Sequence, residues 1–227
     1  MVGRFLGKVS ALALAVMMGT ACETVPTVAS GPGVPLWKVG LFERGPLEAS
    51  FMTEDAHRIA APNGFISFCI RNPGQCVAPA DQAQTVQLDQ HLWQMLVDVN
   101  EKVNREVTNE DDKTHFGRAE YWTIATDGYG DCEDFALTKR KQLIDAGLPE
   151  KALRVAIVKT WRGELHAVLT VATDHGDYVL DSRTWDILPW DRAEYVWISR
   201  QDANDPMGWV SLQSGRFSFR LAAAGSR

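Results

Sequence analysis

The chain has 227 residues, of which 45% are hydrophobic and 23% are charged, so it is long enough for one well-buried domain and short for two. Its net charge is −6 and its pI is near 5.4, and no basic run or basic face is visible in the sequence. This charge pattern argues against nucleic acid as a partner.

The first thirty residues differ in composition from the rest of the chain. Two basic residues, Arg4 and Lys8, precede an almost wholly apolar run from Val9 to Met18. A basic start followed by a short apolar run is typical of a secretory signal, and the run is too short for a helix that spans a membrane. We therefore expect residues 1–30 to be an export signal and part of a short tether, and the mature protein to be periplasmic.

The end of the apolar run offers two processing routes. Gly19-Thr20-Ala21-Cys22 resembles a lipoprotein processing site, and processing there makes Cys22 a lipid anchor. Ordinary cleavage between Ala21 and Ser30 is the alternative. The segment from Thr24 to Pro35 is rich in Pro, Gly, Ser and Thr, which indicates a flexible tether on either route.

Export places the remaining cysteines in an oxidising compartment, where disulfides form. Cys69 and Cys76 flank the turn sequence Asn72-Pro73-Gly74, and we expect them to pair. That pairing leaves Cys132 outside the disulfide. A cysteine kept in this way in an exported protein is more often reactive than accidental.

Helical signals dominate the first part of the predicted domain. Residues 35–80 show turn residues without a sustained hydrophobic period and are expected to be a loop-rich lead-in. From Asp81 to about Val107, apolar residues recur at helical spacing, which predicts a long amphipathic helix. The polar and then aromatic stretch from Thr108 to Tyr129 leads to the next helix.

A second helix is predicted from residue 132 to residue 146, with Cys132 in its first turn. Asp131 is a good N-cap, Asp134 completes a capping-box-like pair, and Gly147 supplies the stop. The first turn of a helix favours thiolate over thiol. Asp131, Glu133 and Asp134 act in the opposite direction, because three carboxylates beside a sulfur raise the pKa of its thiol, so a base or a cation must lie nearby.

Strand signals follow this helix. The predicted strands are 153–161, 166–173 and 177–181, and Asp174-His175-Gly176 forms the hairpin turn between the last two. Further strands are expected between 188 and 198 and at 209–212. Helices followed by an antiparallel meander predict an α+β fold.

The hairpin register places His166 and Asp181 on one face of the sheet as diagonal neighbours. A thiol nucleophile needs a general base, which is usually a histidine oriented by a third group. Each residue taken alone also has a structural interpretation, His166 as a hydrogen-bonded histidine and Asp181 as a turn former. Together with Cys132 they predict a Cys-His-Asp triad.

Three separated motifs resemble those of the bacterial transglutaminase-like cysteine proteinases, the family that includes the periplasmic LapG-type proteases. They are Gly-Asp-Cys-Glu-Asp-Phe-Ala at 130–136, Glu-Leu-His-Ala-Val-Leu-Thr-Val at 164–171 and Tyr-Val-Leu-Asp at 178–181. The likeness is greatest to smaller, alphaproteobacterial-type members and runs from about Leu36 to Leu212.

The resemblance implies a papain-like, transglutaminase-type core over residues 35–215, followed by a tail at 216–227. In this core, the helix that begins with the cysteine packs on an antiparallel sheet that carries the histidine and the aspartate. Cys132 is then the nucleophile, His166 the general base and acid, and Asp181 the residue that orients the imidazole.

The resemblance also implies a calcium site. The best-studied branch of the family binds Ca²⁺ through acidic residues beside its cysteine, and the matching positions here are Asp131, Glu133 and Asp134. The alternative is that Asp131 and Asp134 only cap the helix while Glu133 is solvated.

The sequence departs from the family pattern at two places. Ser182 follows the triad aspartate where asparagine is frequent, and residues 123–127 lack the Pro-Glu pair of the adhesin-cleaving branch. The resemblance therefore does not identify the substrate.

The function expected from these features is that of an exported cysteine endopeptidase that forms a thioester acyl-enzyme on a protein or peptide of the cell envelope. By analogy with the LapG-type branch, the substrate is a cell-surface adhesin whose cleavage releases cells from a biofilm. An inhibitory membrane receptor is a further candidate partner. The alternatives are a transglutaminase or amidase acting on envelope peptides, and an inactive calcium-dependent binding module.

Overall fold

Helices and an antiparallel sheet form two packed layers in the computed structural model, which describes residues 49–77 and 80–212. The helices are α1 Asn63–Arg71, α2 Gln90–Glu106, α3 Asp112–Phe116 and α4 Cys132–Asp145. The strands are β1 Glu54–Ile59, β2 Thr108–Asn109, β3 Tyr129–Gly130, β4 Leu153–Lys159, β5 Leu165–Thr173, β6 Gly176–Leu180, β7 Leu188–Pro189, β8 Val196–Gln201 and β9 Trp209–Leu212. The predicted α+β class is confirmed.

Seven of the strands form one antiparallel sheet in the order β1-β9-β8-β4-β5-β6-β7, and β2 and β3 form a separate parallel pair. The predicted hairpin joins β5 and β6, with Thr173 opposite Gly176 at its closed end. Gly176 has φ +110°, and a Cβ there would collide with the backbone of Ser50, so only glycine fits this corner. β5 and β6 therefore keep a fixed register, which sets the positions of His166 and Asp181.

The main core lies between the helices and the sheet. Helix α4 packs on β4 and β5, and α2 packs on α4. The side chains that are almost fully buried here include Phe65, Phe68, Leu96, Leu143, Leu153, Leu169 and Trp209. Burying one side chain of this size contributes about 1.5–3 kcal/mol, so this layer holds α4 and its first turn firmly against β5.

A second, smaller apolar cluster forms around Val158, Val168 and Trp197. Next to it, Arg200 donates to Asp177 Oδ1 at 2.7 Å and to Glu54 Oε1 at 2.7 Å. This ion cluster, in which Arg200 and Asp177 are buried and Glu54 is exposed, joins β1, β6 and β8, which are distant in sequence. The two buried charges, Arg200 and Asp177, are paired with each other, because an unpaired buried charge would be costly.

Two predictions about the first part of the chain are wrong. The supposed loop-rich lead-in contains β1 and α1, because β1 pairs with β9 near the other end of the chain, a partner that no local pattern reveals. Helix α2 begins at Gln90 rather than near residue 81, because the Asp89 side chain accepts the N–H of Leu92 at 2.7 Å and caps the helix there. Val86, before the cap, bridges to Thr173 of the sheet.

The predicted disulfide is confirmed. Cys69 at the end of α1 is bonded to Cys76, with the turn at Pro73–Gln75 between them. The predicted signal, tether, Cys22 anchor and tail at 216–227 lie outside the described residues, and the predicted domain bounds stay a prediction. Within the described ranges, none of the helices combines the length and apolarity needed to cross a membrane.

Candidate active site

Helix α4 begins at Cys132, as the capping signals predict. Asp131 and Asp134 form a capping box, in which Asp134 Oδ2 accepts the N–H of Asp131 at 3.4 Å. The helix ends at Asp145, and Gly147 follows with φ +97°. Cys132 therefore lies in the first turn, where unpaired N–H groups and the positive end of the helix dipole favour a thiolate.

The sulfur of Cys132 lies against the strand that carries His166. The N–H of Ala167, the residue after His166, donates to Cys132 Sγ at 3.3 Å. Oε2 of Glu133 lies 3.2 Å from the same sulfur, and Cys132 is 5% exposed. The disulfide predicted from the sequence joins Cys69 to Cys76 and leaves Cys132 over. In this structure, however, Cys132 is not a free cysteine. A nucleophilic reaction at this position would require the reduced thiol.

His166 and Asp181 form a buried pair. Nε2 of His166 lies 2.7 Å from Asp181 Oδ1, and the two residues are 1% and 2% exposed. Burial by itself raises the pKa of Asp181, but the charge of His166 and the hydrogen bonds from His166, Tyr195 and the Arg183 N–H outweigh burial and lower this pKa to about 2. Asp181 is therefore ionised and accepts the Nε2–H of His166.

Two asparagines of α2 hold the backbone that follows Asp181. Asn104 Nδ2 donates to the carbonyl of Asp181 at 2.9 Å and to the carbonyl of Thr184 at 3.0 Å. One turn earlier, Asn100 Nδ2 donates to the carbonyl of Trp185 at 3.2 Å. The end of β6 is thereby tied to α2 as well as to β5.

Two further side chains act on Asp181, and the sequence patterns identified neither of them. Tyr195 Oη donates to Asp181 Oδ2, and the tyrosine ring centroid lies 5.6 Å from that of His166. Lys139 of α4 is fully buried, and burial lowers its pKa to about 7 although the charge of Asp181 acts in the opposite direction. Lys139 follows Cys132 by seven residues, two helical turns, and that spacing is a signal that points to the same face of α4.

The predicted acidic cluster forms with a changed membership. One carboxylate oxygen from each of Asp112, Asp131 and Glu133 lies within 4.8 Å of the others. Asp134 lies outside this cluster, because its Oδ1 accepts the N–H of Thr123 at 2.6 Å while its other oxygen caps α4. Asp112 was missed because it precedes Asp131 by 19 residues, and only the parallel pairing of β2 with β3 brings the two segments together.

The electrostatics of the cluster are unfavourable without a counter-charge. Burial, reinforced by the charge of Asp131, raises the pKa of Glu133 well above its ordinary value. The pKa of Asp112 rises to about 6, mainly through burial, and that of Asp131 is raised by burial too. Three carboxylates this close repel one another unless protons or a cation neutralise them.

Several buried oxygens in this region have no hydrogen-bond partner among the described residues. They are Oδ1 of Asp112, Oδ1 of Asp131 and Oδ1 of Asn109, which is paired with Gly130 next to Asp131. An unsatisfied buried oxygen is costly, and carboxylate and amide oxygens are the ligands that Ca²⁺ prefers. The residues present therefore fit a hard cation, with Asp112 in the position that the sequence had given to Asp134.

The sequence of the described domain matches a known family model. The model is that of the bacterial transglutaminase-like cysteine proteinases, and it matches residues 55–217, well over half of the chain. The chain belongs to this family. As a bacterial transglutaminase-like cysteine proteinase, the protein is a cysteine peptidase, which confirms the predicted enzyme class and the resemblance noted from the motifs.

Solved structures of LapG from Legionella pneumophila are similar to this family member. Calcium-bound LapG is 27% identical, with a TM-score of 0.46, over 58% of this chain and 75% of LapG. EGTA-treated LapG is also 27% identical, with a TM-score of 0.46, over 55% of this chain and 69% of LapG. None of the curated proteins matches the chain.

Proposed function

We propose that this peptidase is an endopeptidase whose nucleophile is Cys132, with His166 as general base and acid and Asp181 as the group that orients the imidazole. The observation that carries the proposal is the His166–Asp181 hydrogen bond of 2.7 Å, formed beside the Ala167 N–H that donates to Cys132 Sγ. A base oriented by a carboxylate next to a sulfur at a helix N-terminus is the arrangement that thiol catalysis needs.

The tautomer of His166 follows from its partner. Because Asp181 is ionised and accepts the Nε2–H, Nδ1 is the nitrogen that takes the proton from the Cys132 thiol. The thiolate attacks the peptide carbonyl carbon and gives a tetrahedral intermediate with a negatively charged oxygen. This intermediate collapses to a thioester as the C–N bond breaks, and the leaving amine takes the proton from the imidazolium of His166.

Hydrolysis of the thioester completes the cycle. His166 takes a proton from water, the hydroxide attacks the thioester carbonyl, and the C–S bond breaks to release the carboxylic acid product. The proton returns from His166 to the sulfur. Asp181 stays ionised throughout and stabilises the imidazolium that forms in each half of the reaction.

We further propose that Asp112, Asp131 and Glu133 hold a calcium ion, with Asn109 as a neutral oxygen ligand beside them. The support is the 4.8 Å cluster and the three buried oxygens without a hydrogen bond among the described residues. A bound Ca²⁺ supplies positive charge beside Cys132, which offsets the three carboxylates that would otherwise disfavour a thiolate.

We also propose that the protein acts in the cell envelope, either in the periplasm or anchored through Cys22, and that its substrate is an envelope protein such as a surface adhesin. The export-type sequence of residues 1–30 and the family resemblance support this proposal. An inhibitory membrane receptor is proposed on the same resemblance.

The first test is the alkylation of reduced Cys132 by iodoacetamide, followed on the Cys132 peptide by mass spectrometry. We expect fast labelling of the parent protein well below the ordinary thiol pKa of about 8.5. His166→Ala should slow this labelling by about a hundredfold, whereas His175→Ala, which changes an exposed histidine in the β5–β6 turn, should leave it unchanged. Labelling that follows an ordinary thiol titration would overturn the triad.

The second test identifies the reaction. An envelope protein extract is treated with the reduced parent or with Cys132→Ala, and new N-termini are labelled and sequenced by mass spectrometry. We expect new termini with the parent alone. If a labelled amine is incorporated and no new termini appear, the acyl-enzyme transfers to amines and hydrolysis is not the activity.

A further inference from the structure

The carboxylate of Asp181 has donors on both of its oxygens. Oδ1 accepts the Nε2–H of His166 at 2.7 Å and the N–H of Arg183 at 2.9 Å, and Oδ2 accepts the hydroxyl of Tyr195. Histidine and aspartate in a triad need only one of these bonds for their pairing. The hydroxyl of Tyr195 is therefore an additional feature of this site.

Tyr195 is well placed to act on the pair. It directly precedes β8, and its ring packs against the side chain of Trp197, with centroids 6.4 Å apart, and against His166, with centroids 5.6 Å apart. Its backbone N–H donates to the carbonyl of Ala193 at 2.8 Å. Burial, and then the charge of Asp181, raise the pKa of the tyrosine, so the hydroxyl stays protonated and acts as a donor.

We propose that Tyr195 is a positioning residue of the catalytic pair, in which its hydroxyl fixes the carboxylate plane of Asp181 and its ring limits the rotation of the His166 imidazole. A carboxylate held at one oxygen can turn about χ2, which is a broad torsion, whereas a carboxylate held at both oxygens cannot turn without losing a bond. This inference rests on the proposed roles of His166 and Asp181.

A purely structural role makes a different prediction. If Tyr195 only anchors the segment before β8, loss of its hydroxyl lowers stability but leaves the His166–Asp181 hydrogen bond and the reactivity of Cys132 unchanged. If it positions Asp181, a carboxylate that loses the donor on Oδ2 can turn about χ2, which misaligns and weakens its hydrogen bond to His166. The two roles therefore predict different effects of losing the hydroxyl on the hydrogen bond between His166 and Asp181.

The test uses the reduced protein with calcium chloride in the buffer, as parent, Tyr195→Phe, and Tyr178→Phe as the matched control. Tyr178 lies on β6, three residues before Asp181, and packs against Trp93, so the control removes a hydroxyl from the same sheet away from the carboxylate. The first readout is the low-field proton resonance of the His166–Asp181 bond, assigned by its absence in His166→Ala.

We expect Tyr195→Phe to move this resonance upfield, because the hydrogen bond between His166 and Asp181 weakens. It should also slow alkylation of Cys132 at fixed pH by about tenfold, the size expected for one hydrogen bond to a charged group. Tyr178→Phe should match the parent in both. An unmoved resonance and a parent-like alkylation rate in Tyr195→Phe would overturn the proposal, while fast, His166-dependent labelling of the parent would leave the proposed function intact.

A double-mutant comparison covers the case in which Tyr195→Phe changes the fold locally. In an Asp181→Asn background, Tyr195→Phe should have no further effect on alkylation, because a positioning residue acts only through its partner. An equal tenfold loss in both backgrounds would contradict the proposal. If the parent itself labels like an ordinary thiol, the proposed function fails and the role of Tyr195 fails with it.

Discussion

Asn104 of helix α2 donates its side-chain N–H to the backbone carbonyl of Asp181 at 2.9 Å, across 77 residues of sequence. The same amide reaches the carbonyl of Thr184 at 3.0 Å. Helix α2 thus fixes the position of Asp181 relative to His166. The geometry of the proposed site therefore depends on a helix that carries none of the reactive groups.

We expect Asn104→Ala to lower the free energy of unfolding by about 1–3 kcal/mol, because two backbone carbonyls lose their donor. Alkylation of Cys132 should also slow, since Asp181 is then held less firmly. The measurements are urea denaturation and the iodoacetamide rate. Gln94→Ala is the matched control, because Gln94 is exposed on the same helix and bonds only Asp98 among the described residues, so it should stay within about 0.5 kcal/mol of the parent. Equal effects of the two variants would contradict the assignment.

Asp181 should make the protein sensitive to acid. Its pKa is lowered from 3.8 to about 2 in the folded state, so its contribution to stability is present above pH 3.8 and is lost as the pH falls towards 2. The shift corresponds to a contribution on the order of 2 kcal/mol. Asp181→Asn should flatten the pH dependence of the unfolding free energy in this window, while Asp98→Asn, on the exposed side of α2, should preserve it. A parent-like acid slope in Asp181→Asn would count against the buried ion pair.

Lys139 should act in the opposite pH range. Its pKa is lowered from 10.5 to about 7, so the unfolded chain binds the extra proton between these values and stability rises with pH across that window. Lys139→Met fills the same space without a charge, so it should remove this rise of stability with pH. It should also raise the free energy of unfolding at neutral pH by about 1–4 kcal/mol. Lys141→Met, which changes a lysine paired with Asp145 on the outer side of α4, should keep the rise. If Lys139→Met instead keeps the alkaline rise, Lys139 is charged when buried.

The acidic cluster predicts a calcium response. Calcium at about a hundred times its Kd should stabilise the parent by about 2.7 kcal/mol, measured as a rise in Tm, with direct binding seen by calorimetry with calcium chloride. Asp112→Asn should weaken binding at least tenfold, because one of three ligand carboxylates is neutralised. Asp111→Asn removes the adjacent carboxylate, which caps α3 through the N–H of Thr114, and should keep calcium binding. Unchanged calorimetry in Asp112→Asn would exclude the cluster as the site.

Local signals in the sequence were sufficient to predict the helix and the hairpin that carry Cys132, His166 and Asp181. The N-cap at Asp131 and the stop at Gly147 predicted both ends of α4 to within one residue. The turn at 174–176 predicted the register of β5 against β6. The turn between Cys69 and Cys76 gave the disulfide. These features depend on residues a few positions apart, so the chain specifies them before any tertiary contact forms.

Contacts between distant segments were decided by the tertiary structure alone. The pairing of β1 with β9 turned an apparent lead-in into an edge strand, and the pairing of β2 with β3 put Asp112 into the acidic cluster in place of Asp134. Tyr195 and Asn104 contact Asp181 from other parts of the fold, and no pattern in the sequence predicts these contacts. Hydrophobic period, capping residues and turn chemistry report the neighbours of a residue along the chain, whereas its neighbours in space follow from how the layers pack.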